Sequence, residues 1–207
     1  MRKLIVAVMT SLDGVIQAPG GPDEDRSGGF AHGGWVWPHA GDGDGEVMGG
    51  VFSRPFDLVL GRRTYDIFAN YWPQVPSDAP HGHIADAFNN ATKHVATHHP
   101  DTLAWRNSRA LGTDPVAALR ELKRGEGPDL VTQGSSALLH QLLAADVVDE
   151  LRLLVYPVLL GDGKRLFDAG TRASALRLAS SATTPAGVLV THYLRDGEVR
   201  TGAFAGH

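Results

Sequence analysis

Apolar runs and their spacing divide the chain into alternating strands and helices. Leu4–Met9 is apolar at nearly every position, as a strand covered on both faces should be. Leu58–Leu60 is a second short apolar run. It meets Gly61 and passes straight into a helix beginning near Arg62, where Tyr65, Phe68, Ala69 and Trp72 fall at i, i+3, i+4 and i+7 on one face. A Pro-rich loop (Pro73–Pro80) leads to a helix near Ile84–Asn90, and Lys93–Thr97 reads as a strand ending in His98-His99-Pro100. Asp114 before Pro115 is a helix cap with proline at the first helical position, opening a helix to about Lys123. Leu130–Thr132 is a buried strand, Gln133–Gly134 a turn, and Ser135 or Ser136 the cap of a helix whose Leu138, Leu139, Leu142 and Leu143 face a core. Glu150–Leu160 reads as one long strand, followed by the turn Gly161-Asp162-Gly163. Ala175–Phe204 reads as strands separated by Pro185-Ala186-Gly187 and by Asp196-Gly197, the second a hairpin signal. Strands and helices interleave throughout, which predicts an α/β layer.

One segment breaks the rhythm. From Gln17 to Gly50 the chain is rich in Gly, Asp and Pro, the composition of a lid or binding loop at that length. Phe30, Trp35 and Trp37 within it argue against pure disorder, and a short helix is expected within Glu46–Ser53.

Two of the junctions carry chemistry. At Gly61 and again at Gly134, a strand passes through a glycine into a helix start. The unpaired N–H groups there favour an anion, and glycine lets a ligand approach the backbone. Arg62 and Arg63 add positive charge at the first corner, and Thr64 a hydroxyl. A solvated helix start explains either corner alone; two of them suit a ligand with more than one phosphate, such as a dinucleotide. Neither is a G-x-G-x-x-G fingerprint, and no P-loop occurs.

Composition narrows the field. A chain of 207 residues fits a single domain spanning 1–207, and 43% hydrophobic residues suffice for a core. A net charge of −4 argues against a nucleic-acid surface. Without cysteine there are no disulfides, thiolate zinc sites or cysteine nucleophiles, in keeping with a reducing compartment. The N-terminal apolar run ends at Met9 without a cleavage site, and no stretch reaches membrane-spanning length, so a cytoplasmic protein with no membrane partner is expected. The ten histidines include His81-Gly82-His83 and His98-His99, but neither pair has a third ligand at a recognisable spacing, and no metal is expected. Asp42-Gly43-Asp44-Gly45-Glu46 fails the calcium-loop pattern.

With both corners placed, the chain resembles the dihydrofolate reductase superfamily. It is most similar to the C-terminal reductase domain of the bifunctional riboflavin-biosynthesis deaminase–reductase and its stand-alone relatives. The resemblance lies in SLDGVI at Ser11–Ile16, LGRRTYDIFANYWP at Leu60–Pro73, and the block LVTQGSSALLHQLLAADVVDELRLLVYPVLLGDGKRLF at Leu130–Phe167. It implies a mixed, mostly parallel sheet flanked by helices with a C-terminal antiparallel hairpin, NADPH as cofactor, and a homodimer. It also implies that Gly61, Arg62, Arg63 and Thr64 meet the cofactor phosphates, and that Thr97 and His98 meet the adenosine ribose and its 2′-phosphate. Gln133, Gly134, Ser135, Ser136 and Ala137 would hold the pyrophosphate, with Gly14, Val15 and Ile16 curling over the nicotinamide. Gln133-Gly134-Ser135 departs from the Gly-Gly pair common in dihydrofolate reductases, leaving the conformation of that peptide open. The deaminase half, whose zinc site needs cysteines, is absent.

The implied reaction is hydride transfer to a small heterocyclic substrate of pteridine, pyrimidine or riboflavin-precursor type. A non-catalytic ligand-binding protein that keeps the fold is the alternative. Asp13 is the candidate proton donor or substrate anchor, and it equally suits an Asx turn before Gly14. Asp44 and Glu46 are options for a folate-type acid, which is left unassigned. Trp35 and Trp37 with Pro38 either wall a flat heterocycle or pack the loop; Tyr156 either faces the pocket or belongs to the core.

Overall fold

Eight strands assemble into one sheet in the computed structural model, which describes residues 1–39, Phe52 and 54–204. They are β1 (Leu4–Ser11), β2 (Phe56–Gly61), β3 (Lys93–Ala96), β4 (Ser108–Ala110), β5 (Asp129–Thr132), β6 (Glu150–Tyr156), β7 (Leu176–Thr183) and β8 (Leu189–Arg195). The sheet order is β4-β3-β2-β5-β1-β6-β8-β7. Pairing is parallel from β4 to β6 and antiparallel across β6–β8 and β8–β7. Four α-helices among the described residues flank it: α1 (Arg62–Tyr71), α2 (Gly82–Asn90), α3 (Pro115–Arg124) and α4 (Ser136–Ala144).

The strand period of two explains the layering. Along β1, Leu4, Val6 and Val8 point into a core shared with Leu119 of α3 and Leu138, Leu139 and Leu142 of α4. Ile5 and Ala7 point the other way, onto Tyr65 of α1 and Ile84 and Phe88 of α2. Lys93 is wholly buried below this second core. Its Nζ donates to the carbonyls of Asn89, Ala91 and Arg106, each at 3.0 Å, and lies 4.1 Å from the Trp105 ring centre. Burial pulls its pKa down to about 8.

Several element ends differ from the sequence reading. β6 stops at Tyr156 rather than Leu160, because Pro157 lacks the N–H a ladder needs. The hairpin turn between β7 and β8 is at Pro185-Ala186-Gly187, where Gly187 N–H donates to Thr184 O at 2.9 Å. Asp196-Gly197 does not turn a hairpin; it folds back beside the start of β7, with Asp196 N–H to Ala175 O at 2.9 Å. β4 has only three residues and no apolar signature. The helix expected within Glu46–Ser53 lies outside the described residues except for Phe52, as do Asp42, Asp44 and Glu46. No helix among the described residues is long and apolar enough to cross a membrane.

Candidate active site

Because β2, β5 and β1 are neighbours, their carboxyl ends open on one edge of the sheet, where open α/β sheets hold ligands. Here the two glycine corners meet. Gly61 N–H donates to Gly134 O at 3.4 Å. Gly61 has ordinary extended backbone angles, so its requirement is one of space: a Cβ would lie 2.0 Å from Ser135 Oγ. Gly134 has φ +150°, and a Cβ there would lie 2.9 Å from Thr64 Oγ1. The Gly134–Ser135 peptide is cis. Neither Gly61, which precedes α1, nor Ser135, which precedes α4, closes its helix with a side-chain bond. Two helix starts of ten and nine residues thus present their first-turn amides side by side.

These corners form one wall of a cleft of about 870 Å³, with Thr64, Arg63, Gln133, Gly134, Ser135 and Ser136 on that side. Ala7, Val8, Met9 and Ile16 line its floor, and the loop Gln17–Glu24 with Trp37 covers it. The far end is aromatic and apolar: Phe52, Ile67, Phe68, Tyr71, Trp72 and Ile84, with His81 beside them.

The loop is tied down from within. Gln17 is buried; its Nε2 donates to Asp25 O at 3.0 Å and Ser27 O at 2.9 Å, and its Oε1 accepts from Lys164 N–H at 3.0 Å. Asp25 receives Arg63 from α1 and Lys164 from the segment after β6, both at 2.5 Å. Burial alone would raise the Asp25 carboxyl, but Lys164 and the hydroxyl and amide of Ser27 outweigh it and hold the pKa at about 2. Arg62 points away from the cleft. Its Nε pairs with Asp66 at 2.9 Å, and its other end reaches Thr97 Oγ1 at 3.3 Å, Thr102 Oγ1 at 2.5 Å and His99 O at 3.3 Å. The adjacent arginines therefore serve different places, one the cleft mouth, the other the end of β3.

Of the residues singled out from sequence, Ile16, Arg63, Thr64, Gln133, Gly134, Ser135, Ser136, Trp37 and Tyr156 line the cleft. Gly61 lies directly against Ser135. Ala137 is the next residue into α4; Thr97 and His98 follow β3 off the cleft, Thr97 bonded to Arg62. Gly14 and Val15 also lie off it. Gly14, at φ +86°, makes the turn, and Val15 is buried against Phe30 and Leu154.

Asp13 is likewise turned away from the cleft. Its carboxylate accepts Ser11 Oγ–H at 2.6 Å and the Leu160 and Gly161 amides at 3.2 and 2.9 Å, with Arg165 alongside. The Ser11 bond, offset partly by burial and aided by the amides, lowers its pKa to about 2. A carboxylate so held has no proton to give at neutral pH. It does not make the Asx turn either, since the Val15 amide donates to Ser11 Oγ at 2.9 Å; it ties the first loop to the segment after β6. Trp35 is buried, its Nε1 donating to Gln17 O at 2.8 Å and its ring edge-on to Tyr156 at 5.4 Å; it packs the loop. Trp37 is 56% exposed and donates to Gly20 O at 2.7 Å.

Sequence reasoning missed the aromatic far end, Glu24 and Lys164. The Phe68 and Trp72 spacing read as core, which it also is; that one helix face serves both core and cleft has no periodicity signal. Lys164 stands in the GDGK segment, and its pairing with Asp25 spans 139 residues.

The RibD C-terminal domain profile matches residues 2–190 of the chain. An uncharacterized protein of Bacillus subtilis (strain 168), YwjB, is 26% identical over 195 residues, 94% of this chain and 98% of its own. Among solved structures, a pyrimidine reductase-like protein from Corynebacterium diphtheriae superposes with a TM-score of 0.60 at 14% identity, over 95% of this chain and 93% of its own. Dihydrofolate reductase from Enterococcus faecalis, solved in complex with NADP(H), gives 0.59 at 17% identity, over 94% and 96%.

Proposed function

The chain belongs to the RibD C-terminal domain family and carries a reductase-type domain, and from that premise we propose an NADPH-dependent reductase acting on a small heterocycle of pteridine, pyrimidine or riboflavin-precursor type. One observation carries the reading: two helix starts without side-chain caps, joined by Gly61 N–H to Gly134 O, stand side by side on the wall of a large cleft. Side chains at either glycine would fill the space between them. That cradle fits a diphosphate. The Thr64, Ser135 and Ser136 amides would hold it, with Arg63 at the mouth. Arg62, lying beside Thr97 at the end of β3, suits a 2′-phosphate and so favours NADPH over NADH. The reduced nicotinamide would supply the hydride. The loop over the cleft and the aromatic far end exclude water and offer a surface on which a flat ring can stack. From the same family resemblance we also propose a homodimer.

The test is a titration of NADPH and NADH into the wild type and Arg62→Ala. NADPH is expected to bind the wild type more tightly, and the substitution to cost about 1.5–3 kcal/mol of NADPH binding with little effect on NADH. Equal affinities throughout defeat the NADPH assignment. Loss of near-ultraviolet absorbance across pteridine, pyrimidine and riboflavin-precursor substrates then identifies turnover; tight binding without oxidation points instead to a ligand-binding protein.

A further inference from the structure

The covering loop places two consecutive carboxyl groups in opposite surroundings. Asp25 faces the ionic clasp of Arg63 and Lys164, and its charge is fully met. Glu24 faces the cleft. Its Oε2 accepts the Gly20 amide at 2.6 Å, and no ion pair reaches it among the described residues. The two cations nearest the cleft mouth, Arg63 and Lys164, are committed to Asp25, and Arg26 on the same loop pairs with Asp23 at 2.6 Å. Across the cleft, His81 and Tyr156 are the other titratable groups besides the exposed Tyr71. Burial, reinforced by the neighbouring Asp25 charge, raises the Glu24 pKa above the ordinary glutamate range, while the Gly20 and Gly21 amides pull against it. Adjacent carboxyls driven apart in this way divide the roles of acid and anchor between them.

We propose that Glu24 is the group that protonates the substrate. This rests on the reductase reading above. In the step, the Glu24 carboxyl O–H breaks as an N–H or O–H bond forms on the heteroatom of the C=N or C=O being reduced. The carbon of that bond takes the hydride from the reduced nicotinamide, so the substrate gains two electrons and the nicotinamide loses two. Glu24 is left as a carboxylate, steadied by the Gly20 amide, and regains its proton from water. Asp13 and Asp25, both held as anions, are unsuited to this step.

Two measurements test it. In the protein without cofactor, carboxyl-carbon NMR with Glu24→Gln as the assignment control should show Glu24 titrating above the free-glutamate value of about 4.3. A midpoint at or below that value overturns the proposal. With NADPH and a turned-over substrate, Glu24→Gln should bind NADPH as the wild type does yet reduce substrate about 10²–10⁴-fold more slowly. It should also lose the fall in rate that wild type shows as Glu24 ionises, and Glu24→Asp should partly restore both. If Glu24→Gln oxidises NADPH as fast as wild type with the same pH profile, the assignment falls while the reductase reading stands. A wild type that binds no NADPH overturns the reductase reading, and the assignment with it.

Discussion

Asp13 illustrates how much of a side chain's role is decided by partners distant in sequence. The Asp-Gly pair is visible locally and reads as a turn or a proton donor. Its amide donors at Leu160 and Gly161 lie 147 and 148 residues on, so no local pattern reveals the tether it forms. The pairing has a pH signature. The folded pKa of about 2 lies below the value of about 3.9 for a free aspartate, so the ionised form is favoured by folding. Its stabilising contribution is present in full above the unfolded value and disappears as pH falls through the folded one. Asp13→Asn is therefore expected to lower the urea midpoint at neutral pH, and the gap from wild type should close progressively below about pH 4. A gap that stays constant to low pH would assign the loss to shape rather than charge. The same distance effect hid Trp35: an aromatic in a Gly-rich loop suits a ligand wall as well as a loop anchor, and only its bond to Gln17 O decides.

At the level of elements, strong local chemistry was legible and weak ends were not. Asp114 before Pro115 marks the start of α3 correctly, since the Asp114 carboxylate accepts Ala117 N–H at 2.9 Å. The apolar face at Tyr65, Phe68 and Trp72 marks α1, and both glycine corners lead into helices at the expected residues. β4 escaped because three residues carry no period, and β6 seemed too long because apolar residues continue past the proline that ends it. That the two corners touch is a property of strand order, which brings β5 between β2 and β1. Their contact gives an element-scale test. Gly61→Ala puts a methyl group 2.0 Å from Ser135 Oγ, 2.9 Å from its Cβ and 3.2 Å from its backbone N. Overpacking of this kind is expected to cost about 1–3 kcal/mol, read by chemical denaturation, and to weaken NADPH binding by separating the helix starts. Unchanged stability together with unchanged binding would mean that the corners yield freely.

For the whole molecule, the mixed sheet ends in β7, a strand with no partner on its outer side among the described residues. All eight residues of β7 are exposed, and Leu176 and Leu178 stand at its start at 42% and 49% exposure. An open edge with apolar side chains invites pairing, which supports the homodimer proposed above. Sedimentation at micromolar concentration should give twice the chain mass, and Leu178→Lys should shift it toward the monomer without altering the far-ultraviolet spectrum. A monomeric wild type counts against the proposal. Sequence could not display this face, because Leu-Arg-Leu followed by small polar residues reads the same on a free edge as on a covered one.

The clasp at Asp25 bears on how a guest enters. A single carboxylate there holds two counter-ions from separate parts of the chain, one on α1 and one beyond β6. An incoming anion that draws Arg63 to itself leaves Asp25 still matched by Lys164, so the roof of the cleft stays moored while the doorway changes hands.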